Sequence, residues 1–270
     1  MRSIRATFER LRRARRKALI PFIMGGHPSP RSTASLLLAL EDAGADLIEV
    51  GIPFSDPLAD GPIIQEASAR ALSQGATPRR VLDAVASVRG RIQVPVVCLT
   101  YWNPVIQFGL RQNGSSPGAF IRAARSCGVA GLIVPDMPIE EGEALRQAAA
   151  SAGLCAIFLA APTSPPQRLR AIARVSSGFI YYVSVAGTTG PRARLPVGLV
   201  HGIRQLRLLT AKPICVGFGI STPAQAASVA RIADGVIVGS ALLEAMRGAR
   251  GPSATRQRAA AFVRRLRRAV

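Results

Sequence analysis

With 270 residues, 49% of them hydrophobic, the chain is long enough for one large α/β domain, and no apolar stretch of about 18 residues marks a transmembrane helix. The formal charge of +20 suggests a polyanionic partner, but the basic residues gather at the two ends and only 5% of the chain is aromatic, with no aromatic–arginine stacking surface, so nucleic-acid binding is set aside. The basic N-terminus lacks the apolar core and cleavage site of a signal peptide, and the chain is expected in the cytoplasm, away from membranes.

In chain order, Ser3–Lys17 alternates charge with Ile4, Phe8 and Leu11, which predicts a helix over 3–16. Short β-prone runs then recur at Leu19–Met24, Leu47–Val50, Val94–Tyr101, Gly131–Val134, Cys155–Ala160, Phe179–Val185, Pro213–Phe218 and Gly235–Val238. Most are apolar throughout, as parallel strands covered on both faces are. Helical patterns lie between them, among others at 35–43, 78–88, 139–152, 167–175, 198–209 and 223–232, and glycine stop signals end several, as at Gly44, Gly128 and Gly153. Eight strand–helix repeats predict an α/β fold, a single (β/α)8 barrel over 1–270. The N-terminal helix would cap its bottom and an extra C-terminal helix over 254–268 would close its outside. Both basic ends then lie solvated, away from the chemistry.

A barrel places its functional residues at the C-terminal ends of the strands and in the loops that follow. Glu49 lies in the apolar run Leu47–Gly51, near the end of the second strand, where an ionised carboxylate is costly unless paired or solvated at a cleft. It either faces the helical layer against an arginine or points into the mouth. The loop from Gly51 to Pro62 holds three prolines and two glycines and carries Asp60 back over the same strand end. Two carboxylates in one cleft suit acid–base chemistry. Asp56 competes for that role or, as the residue before Pro57, is only a turn former, and Asp136 reads as a helix cap or as a group supporting the site from behind.

Glycine turns follow the last three strands: Gly187–Gly190, Gly217–Ser221 and Gly239-Ser240, the last at the start of a helix over 241–246. On these strands they read as a phosphate cradle. Lys212, before Pro213, starts the seventh strand at the barrel bottom and cannot form a Schiff base in the mouth. His27 and His201 are too few and too far apart for a histidine metal site. Cys98, Cys127, Cys155 and Cys215 form no metal-type pair and read as buried reduced thiols. No dinucleotide fingerprint follows the first strand. Carbon–carbon cleavage here would run on proton transfers alone, with neither metal nor cofactor.

The run EVGIPFSDPLADGP, Glu49 to Pro62, closely resembles the signature of the tryptophan synthase alpha subunit family. The likeness extends nearly end to end, through Ala18–Phe22, Tyr101–Pro104, Ile133–Asp136, Tyr181–Ser184 and Gly217–Ser221. The resemblance implies a cofactor-free retro-aldol cleavage of indole-3-glycerol phosphate to indole and glyceraldehyde 3-phosphate, a step of tryptophan biosynthesis. It implies Glu49 as the acid–base group and Asp60 as the charge opposite the indole nitrogen. Phe22, Ile64, Leu99 and Ile133, with Leu159, Tyr181 and Phe218, would line the indole pocket. Gly190, Gly219, Gly239 and Ser240 would hold the phosphate. Asp56, Pro57, Asn103 and Pro104 would face a beta subunit in an α2β2 complex.

Two departures stand out. The first-strand turn, which carries an aspartate in most of the family, reads Gly25-Gly26-His27-Pro28, and 112–118 reads as a loop insertion beside Asn103. The insertion leaves two alternatives open, a stand-alone lyase releasing free indole, or a weakly active subunit that acts by activating its partner.

Overall fold

The computed structural model describes residues 3–109, 116–183, 197–217 and 219–270. Nine parallel strands form one sheet in the order β5-β4-β3-β2-β1-β9-β8-β7-β6. They are β1 (Ala18–Met24), β2 (Ile48–Gly51), β3 (Val96–Leu99), β4 (Val129–Ile133), β5 (Cys155–Ile157), β6 (Leu159–Ala160), β7 (Ile180–Val183), β8 (Ile214–Gly217) and β9 (Gly235–Val238). The run expected as one fifth strand is two pieces. It breaks at Phe158, so β5 pairs with β4 while β6 pairs with β7, and chain continuity across the break closes the barrel. The Phe158 ring packs outward where a side chain on Gly142 would have to stand.

Twelve helices surround the sheet among the described residues. They are α1 (Ile4–Arg13), α2 (Ser32–Asp42), α3 (Pro62–Ser73), α4 (Pro78–Val88), α5 (Trp102–Gln107), α6 (Pro117–Ser126), α7 (Glu143–Ser151), α8 (Pro166–Val175), α9 (Val197–Leu209), α10 (Pro223–Ala230), α11 (Ser240–Met246) and α12 (Gly251–Arg267). Three of them, α3, α5 and α6, were not among the segments named from the sequence, although Gly128 marked the end of α6. The insertion is corrected in part: Ser116–Gly118 is no loop, because the Ser116 hydroxyl caps α6, accepting from the Gly118 N–H, and Pro117 opens the helix. Residues 112–115 lie outside the described residues.

Strand parity divides the core into two layers. Ala18, Ile20, Leu47, Val97, Ile133, Ile157, Phe179, Tyr181, Cys215 and Ile237 point into the barrel, and Ile4, Phe8 and Leu11 of α1 join them from below. Each of these three removes a large apolar side chain from water, a gain of about 1.5–3 kcal/mol apiece. The Ser3 hydroxyl accepts from the Ala6 N–H and fixes where this plug begins.

The basic ends are not simply solvated. Arg267 of α12 reaches the buried Asp46, which also accepts from the Leu19 N–H at 3.0 Å and lies 3.8 Å from Arg16. Asp234 plays the matching part below β8, accepting from the Ile214 N–H at 2.9 Å and pairing with Arg207. Part of the arginine excess therefore pins the strand starts from below. Lys212 sits at the same bottom face and donates to the carbonyls of Ala173, Arg174 and Ser176, at the C-terminal end of α8, where a cation is favoured.

Candidate active site

Glu49 points into the barrel. It pairs in register with Phe22 on β1 and Val97 on β3, and it is 1% exposed. Among the described residues no arginine pairs with it, and its place inside the barrel sets aside the alternative of a charge neutralised in the helical layer; one carboxylate oxygen has no hydrogen-bond partner among them. Burial, and then the negative charge of Asp60, push its pKa up to about 8. Burial also raises Asp60, to about 6, and a hydrogen bond from Tyr101 opposes that rise. The environments push the two carboxyls apart: at neutral pH Glu49 holds its proton and most Asp60 is ionised.

The loop bearing Asp60 is fastened at several points. The Ser68 hydroxyl of α3 accepts from the Phe54 N–H and donates to the Phe54 carbonyl, both at 2.9 Å. Gln65 Nε2 donates to the Asp60 carbonyl at 2.9 Å, and the Ala59 N–H donates to the Tyr101 hydroxyl at 3.0 Å. Asp56 bonds to the Ser55 hydroxyl and is exposed at the turn, as its place before Pro57 suggested. Neither Ser68 nor Tyr101 stood out as a functional candidate in the sequence. Tyr101 had a motif around it, whereas Ser68 had no signal beyond its place in the helix after the loop.

The apolar candidates fall together. Phe22, Leu99, Ile133, Leu159 and Tyr181 all face the barrel interior near the C-terminal ends of their strands, and Ile64 of α3 packs above them. Two glycines make room for the aromatic rings. A Cβ on Gly217 would stand 2.3 Å from the Tyr181 hydroxyl, and one on Gly51 would stand 2.7 Å from the Phe22 ring. Gly239 and Ser240 open α11 beside Phe22, half-buried, and Gly219 holds a left-handed backbone (φ 74°) with open space around it. Phe218, Gly190 and the 187–190 turn lie outside the described residues.

Asn103 is exposed and Pro104 half-buried on α5. Asp136 does not cap the helix that follows it, which starts at Glu143; it reaches across to the start of α5, both carboxylate oxygens accepting from the Trp102 N–H at 3.0 and 3.1 Å. His27 is half-buried, its Nδ1 without a hydrogen-bond partner among the described residues; burial and then the Arg70 charge hold its pKa below the usual histidine range. Among the described residues no cluster of three metal-ligating side chains occurs, and no helix is long and apolar enough to cross a membrane.

A parallel barrel whose mouth sets a protonated carboxyl beside an ionised one, over an apolar floor, defines an acid–base barrel enzyme. Its relatives make the class specific. The sequence profile of the family described as "Tryptophan synthase alpha chain" matches residues 8–270. The tryptophan synthase alpha chain of Gloeobacter violaceus is 46% identical over 98% of this chain and 94% of its own length, and that of Prochlorococcus marinus 46% identical over 99% and 95%. Among solved structures, the alpha subunit of Legionella pneumophila superposes with a TM-score of 0.88 at 36% identity, covering 100% of this chain and 98% of that one. A chain of Mycobacterium tuberculosis tryptophan synthase gives 0.87 at 36% identity, covering 100% and 99%. This chain belongs to the tryptophan synthase alpha chain family.

Proposed function

We propose that the chain is a lyase that cleaves indole-3-glycerol phosphate into indole and glyceraldehyde 3-phosphate. The observation that carries this reading is a buried Glu49 with its pKa raised to about 8 and a neighbouring Asp60 raised to about 6, over an apolar floor. The neutral Glu49 carboxyl gives its proton to indole C3, and the ring becomes a cation with its charge shared onto N1. The Asp60 carboxylate stabilises the N1–H of that cation in a site shielded from water. Glu49, now a carboxylate, takes the proton of the hydroxyl on the side-chain carbon bonded to C3. The C3–carbon bond breaks, its electron pair restores the neutral indole, and the side-chain carbon becomes the aldehyde. No redox change occurs, and Glu49 ends as it began.

Phe22, Ile64, Leu99, Ile133, Leu159 and Tyr181 are assigned to the indole and Gly219, Gly239 and Ser240 to the phosphate. Asp56, Pro57, Asn103 and Pro104 are assigned to a beta-subunit interface in an α2β2 assembly of the cytoplasm. Leu58 at the tip of the same loop, 92% exposed, supports that assignment, since an interface would cover it. The test is indole release from indole-3-glycerol phosphate by the purified chain, alone and with a beta subunit. Release that rises with the partner is expected, and no release in either case would overturn the reading.

A further inference from the structure

Tyr101 stands one step back from the proposed chemistry. Its hydroxyl has one proton and two lone-pair positions. The Ala59 N–H, 3.0 Å away, takes one lone pair, which leaves the phenolic proton for the Asp60 carboxylate. The ring cannot easily turn away. It is 2% exposed, and the Phe54 ring lies against it with centroids 5.3 Å apart. Phe54 is in turn held at both its N–H and its carbonyl by Ser68. On the other side the backbone N–H of Trp102, the next residue, is fixed by Asp136. At the loop tip the Leu58 side chain is almost wholly in solvent.

We propose that Tyr101 is a positioning residue, whose single hydroxyl ties the Ala59 backbone to the Asp60 carboxylate and so holds Asp60, ionised and aimed, over the mouth. The inference rests on the reading of Asp60 as the counter-charge to the indole cation. Among the described residues, the ionisable groups that face Asp60 are Glu49 on β2, Tyr101 after β3 and Tyr181 on β7. Of these described groups, Tyr101 alone favours the ionised form.

Tyr101→Phe keeps the ring and removes the hydroxyl. In the full chain its kcat for indole-3-glycerol phosphate should fall about tenfold at pH 7, the scale of one lost hydrogen bond to a charged group. KM should stay within about twofold, and the acid limb of the pH–rate profile should move up by about one pH unit, so that the deficit shrinks toward pH 8. An unchanged rate, or a loss equal at pH 6 and pH 8, would overturn the proposal. Asp60→Asn separates the two ideas. If that variant keeps wild-type turnover, the reading of Asp60 itself fails. If it is crippled while Tyr101→Phe is silent, only the clamp fails. Adding Tyr101→Phe to Asp60→Asn should cost no further rate, and an additive loss would contradict the clamp. In the wild-type chain, independent of any variant's folding, the Ala59 amide should be protected from hydrogen exchange; exchange at the free-peptide rate would overturn it too.

Discussion

Glu49→Gln is expected to raise stability while it removes turnover, and the gain should depend on pH. In the unfolded chain Glu49 ionises near its ordinary value of 4.5, whereas in the folded chain it keeps its proton up to about 8. Between these two values unfolding releases a proton, so each pH unit favours the unfolded state by about 1.4 kcal/mol. Below 4.5 the group is neutral in both states and costs nothing. By pH 7 the penalty is about 3 kcal/mol, and above pH 8 it levels off at about 5 kcal/mol. Glutamine escapes this penalty but buries an amide, and leaving that amide unpaired costs about 1–3 kcal/mol. The net gain at pH 7 is therefore about 0–2 kcal/mol, and the pH slope is the sharper signature. Urea unfolding of both proteins at pH 5, 6, 7 and 8, followed by fluorescence of the single tryptophan, Trp102, reads it directly. The stability difference should grow by about 3–4 kcal/mol from pH 5 to pH 8. A flat difference would mean that Glu49 is not held protonated by the fold, and the acid role assigned to it would lose its basis.

The pH dependence of kcat/KM should be bell-shaped, rising through about 6 as Asp60 ionises and falling through about 8 as Glu49 loses its proton. A single limb would mean that only one of the two groups works. Ser240→Asp should raise KM for the phosphorylated substrate at least about tenfold with the thermal midpoint nearly unchanged, because it sets a negative charge against the phosphate; an unchanged KM would move the phosphate elsewhere. Asp46→Ala strands Arg267 and the Leu19 N–H and should cost about 2–4 kcal/mol in denaturant unfolding, with kcat close to wild type at permissive temperature. A loss of catalysis without a loss of stability would contradict its role below the barrel.

Much of this arrangement was legible in the residues. The alternation of apolar runs with amphipathic ones carried the barrel. The apolar neighbours of Glu49 located a strand, and the stiff loop after it brought Asp60 back to the same mouth. What stayed hidden depends on distance or on brevity. The break at Phe158 leaves no trace in periodicity, because both halves continue the same in–out alternation. The six residues of α5 are too few to show a helical period. Arg267 and Asp46 are 221 positions apart, so a terminal basic cluster reads as solvated until the chain closes on itself. Tyr101 is 42 residues from Ala59, and nothing local marks its hydroxyl as the fastening of that loop.

The account turns on Glu49 and Asp60 acting together on one substrate. The direct test is indole release from indole-3-glycerol phosphate at pH 7 by the wild-type chain, Glu49→Gln and Asp60→Asn, with binding of a non-cleavable indolylalkyl phosphate measured in parallel. Each variant should lose on the order of 10²–10⁴-fold or more in turnover, while both still bind the analogue within a few-fold of wild type. A variant of either residue that keeps most of the wild-type rate would contradict the account.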